Sequence, residues 1–325
     1  MLHLPDATPS LLAPLIADYE QQLNDLLPLE RLELNLPIAL QPLPLKEALA
    51  NEVQVSVLRS DRIHPTISGN KWFKLKYNLL AARVQGCEGV VSCGGAWSNH
   101  LHALAQVCGR LNIPAHGIVR GNELHASSNV MLQDAANQGM SLEFVDRAHY
   151  RSLRSVKTVK RNHYFIPEGG DNWLGVLGAA TMASPLSKSA KGSLAVSHVV
   201  TAMGTGCTFA GMRLGLPDRV RLLGVSALKG QWPIRNMQQR FAPWFPYGQR
   251  NNWHIYTDYH RGGFGKTDSA LKAFCSRFET EFGFALDYLY TGKAMMALVE
   301  LIQKGVFEPG SHIVFVHSGG LQGNR

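Results

Sequence analysis

Lys71 is the residue whose surroundings could make it react. It stands in Ser68-Gly-Asn-Lys-Trp-Phe-Lys-Leu-Lys76, after Val53-Gln-Val-Ser-Val-Leu58, which alternates like a strand, and before a run to Leu80 with apolar residues at helical spacing. A lysine at such a loop-to-helix junction can be desolvated by packed elements, lose its proton near neutrality and offer a neutral amine to a carbonyl. That is the requirement for a Schiff base. A lone lysine in this context is more often a solvated surface group, so the chemistry needs partners.

Three later stretches offer them. Gly94-Gly-Ala-Trp97-Ser98-Asn99-His100 follows an apolar strand and opens a helix, the junction at which loops converge and helix amides point outward in an open parallel sheet. Ser98 is the hydroxyl exposed there, although Ser98 or Asn99 equally suits a plain helix N-cap. His100 and His102 are two apart and face different sides of a helix, which argues against a metal pair.

The second stretch, Ala202-Met-Gly204-Thr205-Gly206-Cys207-Thr208-Phe-Ala-Gly211, is again strand, glycine loop and helix. Glycines let the backbone approach a phosphate, successive N–H groups bond its oxygens, and Thr205 and Thr208 add hydroxyls. A tight turn with a capped helix is the alternative. The loop is not the dinucleotide fingerprint, because Phe209 stands where its last glycine belongs. Gly265-Lys266-Thr267 fails as a P-loop because His260 occupies the position of the first glycine. The third stretch is the tail, Leu289-Tyr290-Thr291-Gly292-Lys293 and His317-Ser-Gly-Gly320, with Tyr259 upstream in Tyr256-Thr-Asp-Tyr-His-Arg261. Tyrosines beside a cleft flank aromatic cofactors or shuttle protons, but singly they are more often core or surface.

The elements that must position these residues repeat along the chain. Strands are expected at Gly89–Cys93, Ala115–Val119, Leu142–Val145, His163–Ile166, Ala195–Ala202, Val220–Ser226 and His312–Val316. Helices are expected over roughly Leu11–Leu27, Asn99–Leu111, Ser127–Gln138, Leu174–Ser184, Thr205–Leu214, Asp268–Phe282 and Gly292–Lys304, with an irregular Trp/Pro-rich stretch from Trp232 to Tyr247. Alternation of this kind implies parallel βαβ units, so the fold class is α/β with two open, twisted, mostly parallel sheets flanked by helices. The smaller domain, residues 73–183, is expected to be inserted in a larger one made of residues 1–72 and 184–325. Prolines at 28, 37, 42 and 44 make the stretch after the first helix an extended arm.

With 325 residues, 45% hydrophobic and 17% charged, the chain can bury a large ordered core. Its formal charge is +8, and residues 1–50 are acidic, so the body is basic. Anionic ligands explain that as well as nucleic acid does, and no nucleic-acid motif is present. The densest basic cluster, Arg151, Arg154, Lys157, Lys160 and Arg161, reads as a solvated helix face. Five cysteines without a Cys-x-x-Cys pair argue against a disulfide framework or zinc knuckle, and favour a reducing cytoplasm. Neither a secretory signal nor an apolar run of bilayer length is seen.

Taken together from about Val53 to Gly323, these stretches resemble the pyridoxal-phosphate (PLP) enzymes of the tryptophan synthase β-like fold. More narrowly, they resemble the 1-aminocyclopropane-1-carboxylate deaminase and D-cysteine desulfhydrase family. The resemblance implies that Lys71 holds the cofactor covalently and then serves as the base at Cα, with Asn99 at its 3′-oxygen. It implies that Gly204, Thr205, Gly206, Cys207 and Thr208, with Lys74, hold the phosphate. Ser98 meets the substrate carboxylate or acts as nucleophile, with Trp97, Asn99 and His100 beside the substrate, while Tyr290 stacks on the ring with Tyr259 nearby. Thr291 faces the pyridine nitrogen. Deaminases of the cyclopropane type have a glutamate there, and a hydroxyl suits β-elimination of a good leaving group. The implied reaction is therefore conversion of D-cysteine-like amino acids to a 2-oxo acid, ammonia and sulfide, with cyclopropane ring-opening as the alternative and a catalytically silent PLP-binding protein as a second. A homodimer is implied as well. The chain departs from the usual family pattern at Phe73, Trp97 and His102, and in the loop after Tyr259.

Overall fold

The structure, a computed structural model, describes residues 9–153, 160–188, 195–242 and 252–324. Its strands are β1 (Leu40–Pro42), β2 (Gln54–Leu58), β3 (Gly89–Gly95), β4 (Ala115–Arg120), β5 (Ser141–Val145), β6 (His163–Ile166), β7 (His198–Met203), β8 (Arg221–Ser226), β9 (Trp253–Tyr256) and β10 (His312–Val316). The helices are α1 (Pro9–Leu26), α2 (Lys46–Ala50), α3 (Lys71–Val84), α4 (Asn99–Leu111), α5 (Val130–Asn137), α6 (Arg147–Leu153), α7 (Trp173–Ala180), α8 (Ser184–Lys188), α9 (Cys207–Gly215), α10 (Trp232–Phe241), α11 (Ser269–Phe282) and α12 (Thr291–Gln303).

Two sheets result. One runs β1-β2-β10-β7-β8-β9 and the other β5-β4-β3-β6. Every pairing is parallel except that of β1 with β2. The proline-punctuated arm thus ends as a short antiparallel edge strand, where Pro42 breaks no central ladder. The central strands of the larger sheet are buried on both faces. Val314 and Val316 join one apolar cluster with α3, α7 and α9, while Ile313 and Phe315 join another with α11 and α12. The first cluster also takes in Val90 and Ile166 of the smaller sheet, so one core runs between the two sheets.

Several expectations shift at their edges. The stretch from Trp232 is helical as far as Phe241, because Pro233 sits in the first turn, where a missing N–H costs nothing; residues 243–247 lie outside the described residues. Of the basic cluster, Arg151 lies in α6 and Lys160 and Arg161 are exposed, whereas Arg154 and Lys157 fall outside the described residues. Among the described residues, no helix is long and apolar enough to cross a membrane, and no group of metal-ligating side chains comes together.

Glycines set the spacing of the layer between the sheets. A Cβ at Gly178 of α7 would lie 1.9 Å from the carbonyl oxygen of Phe73 in α3, and one at Gly211 of α9 would lie 2.5 Å from that of Val176. The backbones of α3, α7 and α9 therefore touch directly. On its other side α3 is tied to α1, whose Glu20 accepts hydrogen bonds from the buried Lys76 ammonium and from the Tyr77 hydroxyl. Because a side chain at 178 must push α3 away, Gly178→Ala is expected to lower stability by about 2–3 kcal/mol or to prevent folding. Urea denaturation checks this, and a midpoint equal to that of the parent would contradict the close approach.

Candidate active site

The loops that follow β2, β3, β7 and β10 all leave the carboxyl ends of parallel strands, the side on which open α/β sheets bind ligands. The loop after β2 and the loop after β10 are in backbone contact. Gly69, at φ +72°, leaves no room for a Cβ, which would fall 1.9 Å from the Ser318 carbonyl oxygen, and the Asn70 N–H donates to that same oxygen at 3.1 Å. Asn70 then starts α3, and Lys71 is its first residue.

Lys71 is half-buried, with its amine turned inward onto the Asn70 side chain. An ammonium can only donate, so it fixes the Asn70 amide: Oδ1 accepts from Lys71, and Nδ2 donates to the Thr208 hydroxyl at 2.8 Å. One amide therefore joins the start of α3 to the glycine loop ahead of α9. Burial, with the Lys74 charge adding to it, lowers the Lys71 pKa to about 7, and Asp287 opposes the shift. The amine is poised to lose its proton at neutral pH.

The glycine loop runs from β7 into α9. Gly206 caps α9 at φ +93°, and a Cβ there would strike the Met237 methyl at 2.4 Å; a Cβ at Gly204 would lie 3.0 Å from the Tyr290 ring. Asn236 holds the carbonyl of Thr205 at 3.0 Å. Thr208 accepts from Asn70 and keeps its own proton to donate. Cys207 is buried, its thiol pushed up to about 11 by burial, so it takes no part as a thiolate. Lys74, one helical turn beyond Lys71, reaches the Gly169 carbonyl at 3.2 Å.

Tyr290 and Thr291 are organised by Asp287, which the sequence reading overlooked. Its buried carboxylate accepts from the backbone N–H groups of Leu289 (2.9 Å), Tyr290 (2.7 Å) and Thr291 (2.8 Å), and from the Thr291 hydroxyl at 2.6 Å. Thr291 in turn accepts from the Asp287 N–H at 2.9 Å. Its hydroxyl proton is committed, and what remains to offer is a lone pair. Burial raises the Tyr290 hydroxyl above the ordinary phenol range, with Asp287 adding to it, so Tyr290 stays protonated. The signal for Asp287 was an acid four residues before Thr291 at a helix start, a capping pattern.

Ser98 is the N-cap of α4, accepting from the Leu101 N–H at 3.2 Å. Its hydroxyl proton remains free. Asn99 lies beside Gly320, where a Cβ would be 3.5 Å from its Nδ2, and its Oδ1 is buried without a partner among the described residues. His100 is buried, with Nε2 2.8 Å from the Ser92 hydroxyl, which donates to the Ile166 carbonyl. The Ser92 oxygen is left to accept, so His100 carries its proton on Nε2. Burial, helped by Lys74 and Lys71, pushes its pKa down to about 3 and keeps the ring neutral.

Trp97 is 50% exposed. Tyr259 takes a hydrogen bond on its hydroxyl from the Lys304 ammonium at 3.3 Å, and the same ammonium donates to Glu300 at 2.6 Å. The loop after Tyr259 carries Phe264 to Tyr290, with ring centroids 5.9 Å apart.

The lowered Lys71 pKa has a measurable consequence in the cofactor-free protein. In the unfolded chain this lysine keeps its proton to about pH 10.4, so folding sheds a proton above pH 7, and this group's cost to stability is full below pH 7 and fades as the pH rises. Labelling by an amine-selective reagent, followed by peptide mapping, should therefore reach half its maximal rate near pH 7 at Lys71 of the folded protein and near pH 10 at the same residue in the urea-unfolded chain. Matching profiles would contradict the burial of this amine.

Comparison with known proteins brings in identity. The chain is 28% identical over 317 residues to a D-cysteine desulfhydrase of Klebsiella pneumoniae subsp. pneumoniae, covering 92% of this chain and 96% of the relative. It is 28% identical over 312 residues to one of Salmonella schwarzengrund, covering 89% and 94%. Among solved structures, an ACC deaminase homologue superposes with a TM-score of 0.76 at 25% identity, covering 94% of this chain and 95% of the other. Threonine deaminase isoform 2 from Solanum lycopersicum shares the fold, with a TM-score of 0.66 at 14% identity over 94% and 84% of the two chains. Residues 36–319 match the model of the pyridoxal-phosphate dependent enzymes, and the chain belongs to that family.

Proposed function

We propose that this PLP-dependent enzyme is a lyase or deaminase of small amino acids, and that its reaction is β-elimination of the D-cysteine desulfhydrase type, releasing a 2-oxo acid, ammonia and sulfide. The observation that carries the reading is the Asn70 bridge, which sets a buried amine of near-neutral pKa against a glycine loop at a helix N-terminus. A small molecule with an aldehyde at one end and a phosphate at the other fits that pair. The orphaned Asn99 oxygen supports the fit.

When bound, PLP supplies an aldehyde that takes up an amine and a ring that draws electrons from the substrate's Cα. In this reading Lys71 would hold the cofactor, and its amine would carry the proton to and from the substrate's Cα. Its pKa allows both directions at neutral pH. The amides of Gly204 to Thr208 and the hydroxyls of Thr205 and Thr208 hold the phosphate, with the Lys74 ammonium adding charge. The side chain of Asn99 meets the oxygen beside the aldehyde. Ser98 donates its free proton to the substrate carboxylate, with the amides of Asn99 and His100 at the same helix N-terminus. Tyr290 covers one face of the ring.

Thr291 gives the preference between substrates. If it lies at the ring nitrogen, its donated proton already belongs to Asp287, so it offers that nitrogen an acceptor oxygen and no charge of its own. A hydroxyl there suits departure of a thiolate from the β-carbon better than cleavage of an unactivated carbon–carbon bond. The D-cysteine desulfhydrase relatives support the same preference, and the ACC deaminase homologue keeps ring-opening of 1-aminocyclopropane-1-carboxylate as the second reading.

The reconstituted protein should show a visible band that borohydride abolishes, with the reduced cofactor recovered on the peptide containing Lys71. A colourless protein, or label on another lysine, would refute the assignment. Sulfide release from D-cysteine should exceed formation of 2-oxobutanoate from 1-aminocyclopropane-1-carboxylate, and Thr291→Glu should shift the ratio toward the latter. The reverse ranking in the parent would favour the second reading.

A further inference from the structure

Phe264 is 55% exposed. Single exposed hydrophobes are ordinary, but this one is held out by a rigid support. Its loop turns through three glycines of positive φ, Gly262 (+89°), Gly263 (+107°) and Gly265 (+73°), and closes on itself through Gly263 N–H to the His260 carbonyl (3.1 Å) and Lys266 N–H to the Gly263 carbonyl (3.2 Å). Arg261 clamps Asp268 with two hydrogen bonds of 2.8 Å. From below, the buried Lys293 ammonium donates to the Gly263 carbonyl at 2.9 Å. Burying an ammonium to hold one carbonyl is expensive unless the position of that carbonyl matters.

Lys293 lies three residues beyond Tyr290, so a single turn at the start of α12 fixes both the Tyr290 ring and the loop that carries Phe264. The Phe264 ring packs against Tyr290 at 5.9 Å with the planes 55° apart, and Tyr290 lies against Gly204 of the glycine loop. From solvent inward the order is Phe264, Tyr290, glycine loop.

We infer that Phe264 is a specificity-determining residue: with Tyr290 it forms the outer wall of the site and limits the bulk of the amino-acid side chain admitted, and Lys293 is the residue that positions it. The inference rests on the proposed function, since it takes the space beside Tyr290 as the substrate's.

The test uses the PLP-loaded enzyme, with D-cysteine and the bulkier S-ethyl-D-cysteine compared as a ratio of kcat/KM in the parent, Phe264→Ala and Phe264→Leu. A ratio cancels the fraction of active enzyme, so a merely structural loss leaves it unmoved. Phe264→Ala should raise the relative value for the S-ethyl compound about tenfold, with Phe264→Leu between it and the parent. If the alanine variant does not fold, the leucine variant carries the test. For an enzyme that binds but turns over slowly, the ratio of dissociation constants taken from changes in the visible band tests the same exclusion at the binding step. A parent without a cofactor band, or without any spectral response to amino acids, would overturn the proposed function and this inference together. A responsive parent whose ratio neither variant moves would overturn this inference alone.

Discussion

The Asn70 side chain sits between the first turn of α3 and the first turn of α9. Its oxygen takes the Lys71 amine and its nitrogen reaches Thr208 at the start of α9. The loop after β2 lies flush on the loop after β10, which Gly69 allows by lacking a side chain where the Ser318 carbonyl passes. The reactive amine, the helix N-terminus and the tail of the last strand are thus registered on one another by one amide and one missing methyl group.

Around that bridge the protein has fixed which groups can give a proton and which cannot. Thr208 and Ser98 each accept a hydrogen bond from the chain and keep their own proton, whereas Thr291 surrenders its proton to Asp287 and keeps a lone pair. Burial holds Tyr290 and Cys207 in their protonated forms and His100 in its neutral form. Burial brings Lys71 to a pKa of about 7, where it can change protonation near neutrality. Buried polar groups with committed hydrogen bonds are costly to assemble, but they leave the site with one direction for each proton.

Much of this was legible in the sequence because it obeys short periods. The strands that build both sheets are apolar runs bounded by turns, and the two glycine-rich junctions stand directly after strands, so their places in the fold follow from pattern alone. What escaped was decided by contacts between distant segments. Leu40–Pro42 is a strand because β2 lies beside it, and α10 forms despite Pro233 because that residue falls in the first turn. Tyr259 and Phe264 are five residues apart on one glycine-rich loop, and only the three-dimensional path of that loop sends the first toward Lys304 and the second to Tyr290. Asp287 was missed because a single acid carries no period, although its place ahead of α12 is a cap signal.

Relatives of the same family share an overall architecture with chains of quite different reactions, so the architecture alone says little about which amino acid is consumed. The central claim is local and geometric: one molecule must span from the Lys71 amine to the backbone of residues 204–208. A crystal structure of the protein grown with PLP tests this most directly. The account predicts continuous density from Lys71 Nζ into the ring, with the phosphate oxygens on the N–H groups ahead of α9 and within reach of the Thr208 hydroxyl. A phosphate bound elsewhere, or a Lys71 amine turned out to solvent, would contradict it.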